Sequence, residues 1–507
     1  MRLPTWRTGL VVFSLAVLGK GLAFIREPLV AAVMGASAAS DAYYLAVGLP
    51  FIVYNLVGLP FSLWVTARLV KLQAVQSAYQ VAGFAKQMTW VVTLVGFSAT
   101  LVVIILARPL VDLYAPGLEG FRREQATAVT RIGALAIPAL ALQAGLSGRL
   151  FAESRFSTVY MWSALGGVTG LVGVAGLTPG FGAAGAVLAF VGASWTSALG
   201  LLSLGMRRQA GAPHAIPAGI LEPSDGGVAY RAAALQVFFQ GSHLLVFSFA
   251  SALPPGGLAA TLFASKVQMA VYETVVLTAG VLVYPQITRF VHSLDDEKAA
   301  RAVTGALNWL FPITMGFVVL LVVCRVEIVT LVYQRRAFDA TASRMVSSAL
   351  LGYAPGIVGL TVVEILHRLV VLKGRLRAYL IISACALVLN FFVCSLFTAS
   401  TGVLGIALGS SVGVISAGVG LVIYAGMRVA GMSGQAVALL AGRAVGAAGI
   451  VLGVLLPLRL RIPDPQSTLG QLMVVGLTGL LIVALFTGIL WALGQRHYPL
   501  VEPSDKA

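Results

Sequence analysis

The chain has 507 residues, 59% of them hydrophobic and only 10% charged, with a mean hydropathy of +0.94. Soluble domains carry about 25% charged residues, so this composition excludes a soluble enzyme or binding module and defines an all-α polytopic membrane protein. The net charge of +16 is scattered between apolar runs, which points to basic membrane loops and excludes a nucleic-acid surface.

The first residues, MRLPTWRTGLVVFSLAVLG, have the basic flank of a signal peptide in Arg2 and Arg7. No small-residue cleavage site follows, so the segment reads as an uncleaved first helix. At about 20 apolar residues per span, fourteen helices are expected near 8–33, 42–66, 88–107, 128–149, 157–177, 182–205, 229–252, 258–284, 303–324, 347–370, 378–397, 402–427, 434–457 and 468–494. No loop between them is long enough for a soluble domain. Cys324, Cys385 and Cys394 fall in or beside apolar spans without metal spacing, so neither a metal centre nor a disulfide is inferred.

Orientation follows from the loops. With both termini inside, twenty Lys and Arg residues fall in inner segments and nine in outer ones, the latter mostly around Arg122–Arg123 and Arg335–Arg336. That bias predicts N-in, C-in.

An internal repeat is visible at one constant offset. It pairs Gly182 with Gly402, Gly185 with Gly405, Leu188 with Leu408, Gly200 with Gly420 and Arg155 with Arg375. The offset contains six helices, an even number, so the two halves share topology. The expected architecture is two pseudo-symmetric six-helix lobes, 1–207 and 229–428, then a helix pair at 434–494 and a cytoplasmic tail at 495–507. Counting back from Pro60 and Pro285 makes Lys266 the second-lobe counterpart of Asp41.

The candidate site lies in the first two helices. Lys20, Arg26, Glu27 and Asp41 sit in an apolar stretch broken by Pro28, Pro50 and Pro60. A charge near the bilayer centre costs at least ~2.5–3.5 kcal/mol, so several together should face each other or a cavity. Bent helices are tolerated where such a cavity satisfies the freed backbone. Lys20, Arg26 and Lys266 are the candidate cations, and Asp41 is expected to hold one of them until substrate arrives. The bland reading of Lys20 and Arg26 is an ion pair bracing the first two helices. Accessory or coupling candidates are His243, Glu273, Glu364, His367 and Arg443. Glu273, seven residues after Lys266, is expected to be its structural partner, Glu364 and His367 to satisfy each other or cap the polar inner end of their helix, and Arg443 to pair with a headgroup or line a tail groove.

REPLVAAVMGASAASDAYYLAVGLP resembles the opening of the MviN/MurJ family of lipid II flippases, which shows an Arg and an acid, then FGAS, DAF and a Leu-Pro pair. YAPGLEG, GRLFAESRFS, ASKVQMAVYE and VYQRRAFDA extend the resemblance over most of the chain. It implies the two-lobe fold of the multidrug/oligosaccharidyl-lipid/polysaccharide exporter superfamily, a bacterial inner-membrane location and a role in peptidoglycan synthesis. It also adds Tyr54 and Asn55 to the accessory positions, because they stand where the family has twin arginines. The family's helix-8 Arg is Lys266 here, and its nearby Glu is Met269.

A lipid-linked sugar presents a diphosphate attached to a polyprenyl tail, and moving it needs a cationic cavity with a lateral opening for the tail. Lys supplies point-charge attraction and Arg a bidentate grip. The expected function is therefore a non-enzymatic flippase for such a precursor, with lipid II as first choice. An O-antigen or exopolysaccharide repeat unit is the alternative substrate. A cation-coupled drug exporter of the same superfamily is the second alternative, although it would want twelve helices and a carboxylate-dominated cavity. A membrane glycosyltransferase would want a large outer loop or an acidic metal motif, and neither is present. The expected partners are the lipid-linked sugar diphosphate and membrane lipids, with no nucleic acid, and the protein is expected to be a monomer. No cofactor is expected; sodium, protons or the membrane potential would drive the cycle.

Overall fold

The computed structural model describes residues 6–206, 226–461, 465 and 467–492. The tail expected at 495–507 lies outside them. The described chain is helical and forms two compact units: unit 1 takes residues up to Ala259 together with Arg335–Phe338, and unit 2 takes Ala260–Gln334 and the residues from Asp339 onward.

Unit 1 begins with α1 (Trp6–Met34), α2 (Ala38–Val53) and α3 (Leu59–Val75), the last two joined by a π-helical turn at Tyr54–Gly58. It continues through α4 (Ala78–Ile105), a short α5 (Ala107–Tyr114), α6 (Gly120–Ala134), α7 (Ile137–Ala152), α8 (Phe156–Met206) and α9 (Gly226–Ser251). Ser37 and Ser77 cap α2 and α4 with reciprocal side-chain bonds to Ser40 and Gln80. The element α8 is two helices, interrupted by a non-helical Gly182. Helix α9 packs on α3 and on the π turn that precedes it.

The helix α10 (Gly257–Val271) starts at the edge of unit 1, and a second π turn (Tyr272–Leu277) and α11 (Thr278–His292) follow it in unit 2. Then come α12 (Asp296–Val323), a short α13 (Arg325–Tyr333), α14 (Ala340–Tyr353), α15 (Gly356–Leu372), α16 (Leu376–Thr401) and α17 (Val403–Arg428). The last two helices, α18 (Gly434–Arg461) and α19 (Thr468–Ala492), pack chiefly on α12 and α13.

By length and apolarity 11 helices among the described residues can cross a membrane, or 12 when α14 and α15, bent by 46°, are one span. With the two arms of α8 counted separately and the 29-residue α1 added, the helices fall where the sequence places about fourteen spans. The outward side chains of many of these helices are large and apolar: Leu94, Leu101, Val172, Leu396, Leu477 and Leu480 are all exposed. A lipid-facing surface requires that.

The repeat is written into the backbone. Gly182 has φ 54°, ψ −133°, and Gly402 has φ 60°, ψ −128°. Three residues on, a side chain at Gly185 would strike the Leu177 carbonyl, and one at Gly405 the Phe397 carbonyl. Leu177 and Phe397 are themselves related by the offset that relates the glycines. Further along, Gly200 makes room for Trp162 and Gly420 for Ile382, again in step. Two interior tyrosines follow suit: the Tyr114 hydroxyl donates to the Leu45 carbonyl (3.4 Å) and the Tyr333 hydroxyl to the Phe263 carbonyl (3.0 Å).

These landmarks correct one register. Leu45 and Phe263 are separated by the same interval as Tyr54 and Tyr272, where the two π turns begin. At that interval Asp41 corresponds to Ala259, and Lys266 to Gly48. The prolines used for the sequence pairing stand at different points of their helices, Pro60 at the start of α3 and Pro285 inside α11.

Candidate functional site

In unit 1 the acids of α1 and α2 stand in two separate clusters. In the first, Arg26 Nη2 donates to Glu27 Oε1 at 3.0 Å. Glu27 is buried, and its other oxygen accepts from the Tyr44 hydroxyl of α2 at 2.6 Å. The acid thus bridges the first two helices, and half-buried Arg26 neutralises it from the same helix. Lys20 lies on an exposed face of α1, two turns before this cluster.

In the second cluster Asp41 is 2% exposed. Its Oδ2 accepts the Gly256 N–H and its Oδ1 the Ala259 N–H, each at 2.8 Å. Arg122 Nη2 adds a 3.4 Å contact, and Arg122 Nη1 also donates to the Leu253 carbonyl at 3.1 Å. A carboxylate receiving the free N–H groups of a helix start is an N-cap in function, contributed here from a distant part of the chain. Asp41 therefore does not hold Lys20 or Arg26 as the sequence led us to expect. Its cation is Arg122, which charge counting places in an outer loop, 81 residues away in sequence.

Lys266 belongs to unit 2 and is half-buried on α10. Among the described residues no ion pair joins it to Glu273. The π turn that starts at Tyr272 interrupts the 3.6-residue period on which that pairing relied. Tyr54 and Asn55 open the matching turn of unit 1 and are half-buried, with the Tyr54 ring lying over Gly58.

The most complete network in unit 2 centres on Glu364, which is 4% exposed. It pairs with Arg368 one turn later on α15 and accepts the Tyr272 hydroxyl at 2.8 Å. The Arg368 guanidinium also lies over the Tyr284 ring, 5.1 Å from its centre. Gly280 admits this cluster, because a β-carbon there would come within 2.9 Å of Glu364 Oε1. His367 is not Glu364's partner. Its Nδ1 donates to the Val363 carbonyl at 2.7 Å, and its ring faces Tyr379. An i, i+3 pair and an i, i+4 pair compete for one acid here, and the longer Arg side chain wins.

A second buried pair, Glu327 with Arg459, ties α13 to α18 and so anchors the C-terminal helices within unit 2. Neither residue stands out in sequence, since each is one charge in an otherwise apolar run. Arg443, earlier on α18, is half-buried. His243 is exposed on α9, with Nδ1 2.9 Å from the Phe239 carbonyl.

The lipid II flippase MurJ family matches residues 30–473, most of the chain. The chain belongs to that family. MurJ proteins are multi-pass membrane transporters, and the fold agrees. A structure described as lipid II flippase MurJ in an inward closed conformation superposes with a TM-score of 0.76 at 16% identity, covering 96% of this chain and 99% of that one. An inward-facing multidrug-resistance MATE family transporter of the MOP superfamily gives 0.69 at 14% identity, over 85% and 98% of the two chains. A MOP superfamily transporter from Pyrococcus furiosus, described as having a binding pocket of reversed polarity, gives 0.58 at 13%, over 85% and 96%. At these identities the likeness is one of fold. No curated protein sequence matches the chain.

Proposed function

We propose that this MurJ-family transporter flips a polyprenyl-diphosphate-linked cell-envelope sugar precursor, lipid II first, by alternating access of two lobes across the bacterial cytoplasmic membrane. The family match over residues 30–473 carries this reading. Lys20, Arg26 and Lys266 are the proposed diphosphate ligands. Lys20 is exposed and Arg26 and Lys266 are half-buried, which supports this choice of ligands. Asp41 serves the site at one remove, by fixing Arg122 and the start of α10. The proposed orientation is N-in, C-in, so a cysteine at Ser37 should label from outside and one at Ser77 only from inside. Sodium, protons or the membrane potential would supply the drive, the last at about 2.3 kcal/mol per charge per 100 mV.

A second substrate, an O-antigen or exopolysaccharide unit, is favoured by Tyr54 and Asn55, uncharged at the π turn where the family resemblance places two arginines. Complementation separates the two substrates. The protein should restore growth to a strain depleted of its lipid II flippase. Rescue only of a strain lacking a polysaccharide-unit flippase would transfer the assignment to the second substrate.

A further inference from the structure

Where α3 ends, α4 begins and α7 ends, unit 1 holds a cleft of about 330 Å³. Leu69, Val81 and Ala85 form its apolar wall, and Gln76, Arg149 and Glu153 its polar one. The volume falls in the range of small-ligand sites, about 300–1,000 Å³. Arg149 is 8% exposed and gives its Nε to Glu153 at 2.8 Å, while its buried Nη1 has no hydrogen-bond partner among the described residues. The buried Oε1 of Gln76 is also unpartnered. A buried guanidinium N–H or amide oxygen left unpaired costs about 1–3 kcal/mol, so each asks for a ligand.

The repeat shows how the two units differ at this corner among the described residues. In both units the helix turn is closed alike: the Arg155 N–H donates to the Leu150 carbonyl, and at the repeat offset the Arg375 N–H donates to the Val370 carbonyl. At the same offset Glu153 corresponds to Lys373. Ser77 and Asp295, the caps of α4 and α12, align Ala78 with Asp296. In unit 2 the two positions form an ion pair, Lys373 with Asp296, that closes the corner. In unit 1 Ala78 offers no acid, and Glu153 turns to Arg149 and, at 3.9 Å, to Arg155.

We infer that this cleft binds a phosphate ester bearing a protonated amine, the headgroup chemistry of phosphatidylethanolamine. The phosphate sits against the Arg149 side chain and the ammonium against that of Gln76, with Glu153 beside it, and a small turn of either side chain brings its unpaired atom to the ligand. A bare anion would leave Gln76 unpaired and face Glu153. The cleft lies at the ends of α3, α4 and α7, which belong to spans long and apolar enough to cross a membrane, and the ends of such spans are where headgroups lie.

The test is native mass spectrometry of the full chain with lipids added singly: phosphatidylethanolamine, phosphatidylcholine or phosphatidylglycerol. Parallel samples receive soluble phosphoethanolamine or inorganic phosphate. Phosphatidylethanolamine should be retained in preference to phosphatidylcholine, whose quaternary ammonium donates no N–H. Arg149→Gln should weaken retention about tenfold to hundredfold, the worth of one charge-assisted contact. Gln76→Leu should abolish the preference over phosphatidylcholine, and Ala82→Leu, which fills the cleft without touching a charge, should remove binding from a folded protein. Equal competition by soluble phosphoethanolamine would uphold the site and make its source a soluble ester. Equal retention of all three lipids, or binding unchanged in both Arg149→Gln and Ala82→Leu, would overturn it.

Discussion

The two units share a backbone but not a charge plan. Gly182 and Gly402 adopt the same conformation, and Tyr114 and Tyr333 close equivalent bonds to Leu45 and Phe263. At matching π turns, however, Tyr272 donates to a buried acid, Glu364, whereas the corresponding region of α7 near Tyr54 holds Ala144 and Gly145. Unit 2 neutralises its buried acids with arginines that are themselves mostly buried: Glu364 with Arg368 and Glu327 with Arg459. Unit 1 pairs Glu27 with Arg26, which is about as exposed as Arg368, but uses its other buried acid, Asp41, to hold backbone. Duplicated positions report the fold; positions where the copies diverge are the ones to test for function.

The largest divergence is the Glu364 network. Glu364→Ala should cost about 3–5 kcal/mol, because it strands the Arg368 charge in the interior. Unfolding in mixed micelles would measure it, and a loss below about 1 kcal/mol would mean that water already solvates the pair. Tyr272→Phe should cost about 1.5–3 kcal/mol, the range for a hydrogen bond to a charged group. Tyr54→Phe, its counterpart, should be close to neutral, and equal losses would erase the contrast between the units.

The shared frame gives matched effects. Gly182→Ala and Gly402→Ala should each cost about 1–3 kcal/mol, since a side chain is strained at that positive φ. Their apparent melting temperatures should fall together, and a fall in one alone would break the equivalence of the repeats. Smallest are Tyr114→Phe and Tyr333→Phe, each expected to lose about 0.5–1.5 kcal/mol for the neutral bond to a backbone carbonyl. The same unfolding measurement would show whether the two values agree.

Much of the fold was legible in sequence because apolar span length and small-residue spacing are local signals. The repeat offset could be read from Gly182, Gly185 and Gly200, and the geometry explains why those positions tolerate no side chain. The charges were harder. Arg122 meets Asp41 through tertiary packing that no periodicity announces, and Arg459 reaches Glu327 across 132 residues. Two pairings inferred from local spacing, Glu364 with His367 and Lys266 with Glu273, gave way to a longer competing side chain and to a π turn. The match of Asp41 to Lys266 failed because prolines mark bends, and bends need not fall at equivalent positions in diverged copies.

The central claim is that Lys20, Arg26 and Lys266 together handle a lipid-linked diphosphate. Translocation of fluorescent lipid II in proteoliposomes tests it most directly, with wild type beside Lys20→Ala, Arg26→Ala, Lys266→Ala and the triple variant. Each single change should slow translocation roughly tenfold to hundredfold, the worth of one charge-assisted contact at about 1.5–3 kcal/mol. The triple variant, folded by the same melting criterion, should not translocate. A triple-alanine protein that moves lipid II at the wild-type rate would contradict the account.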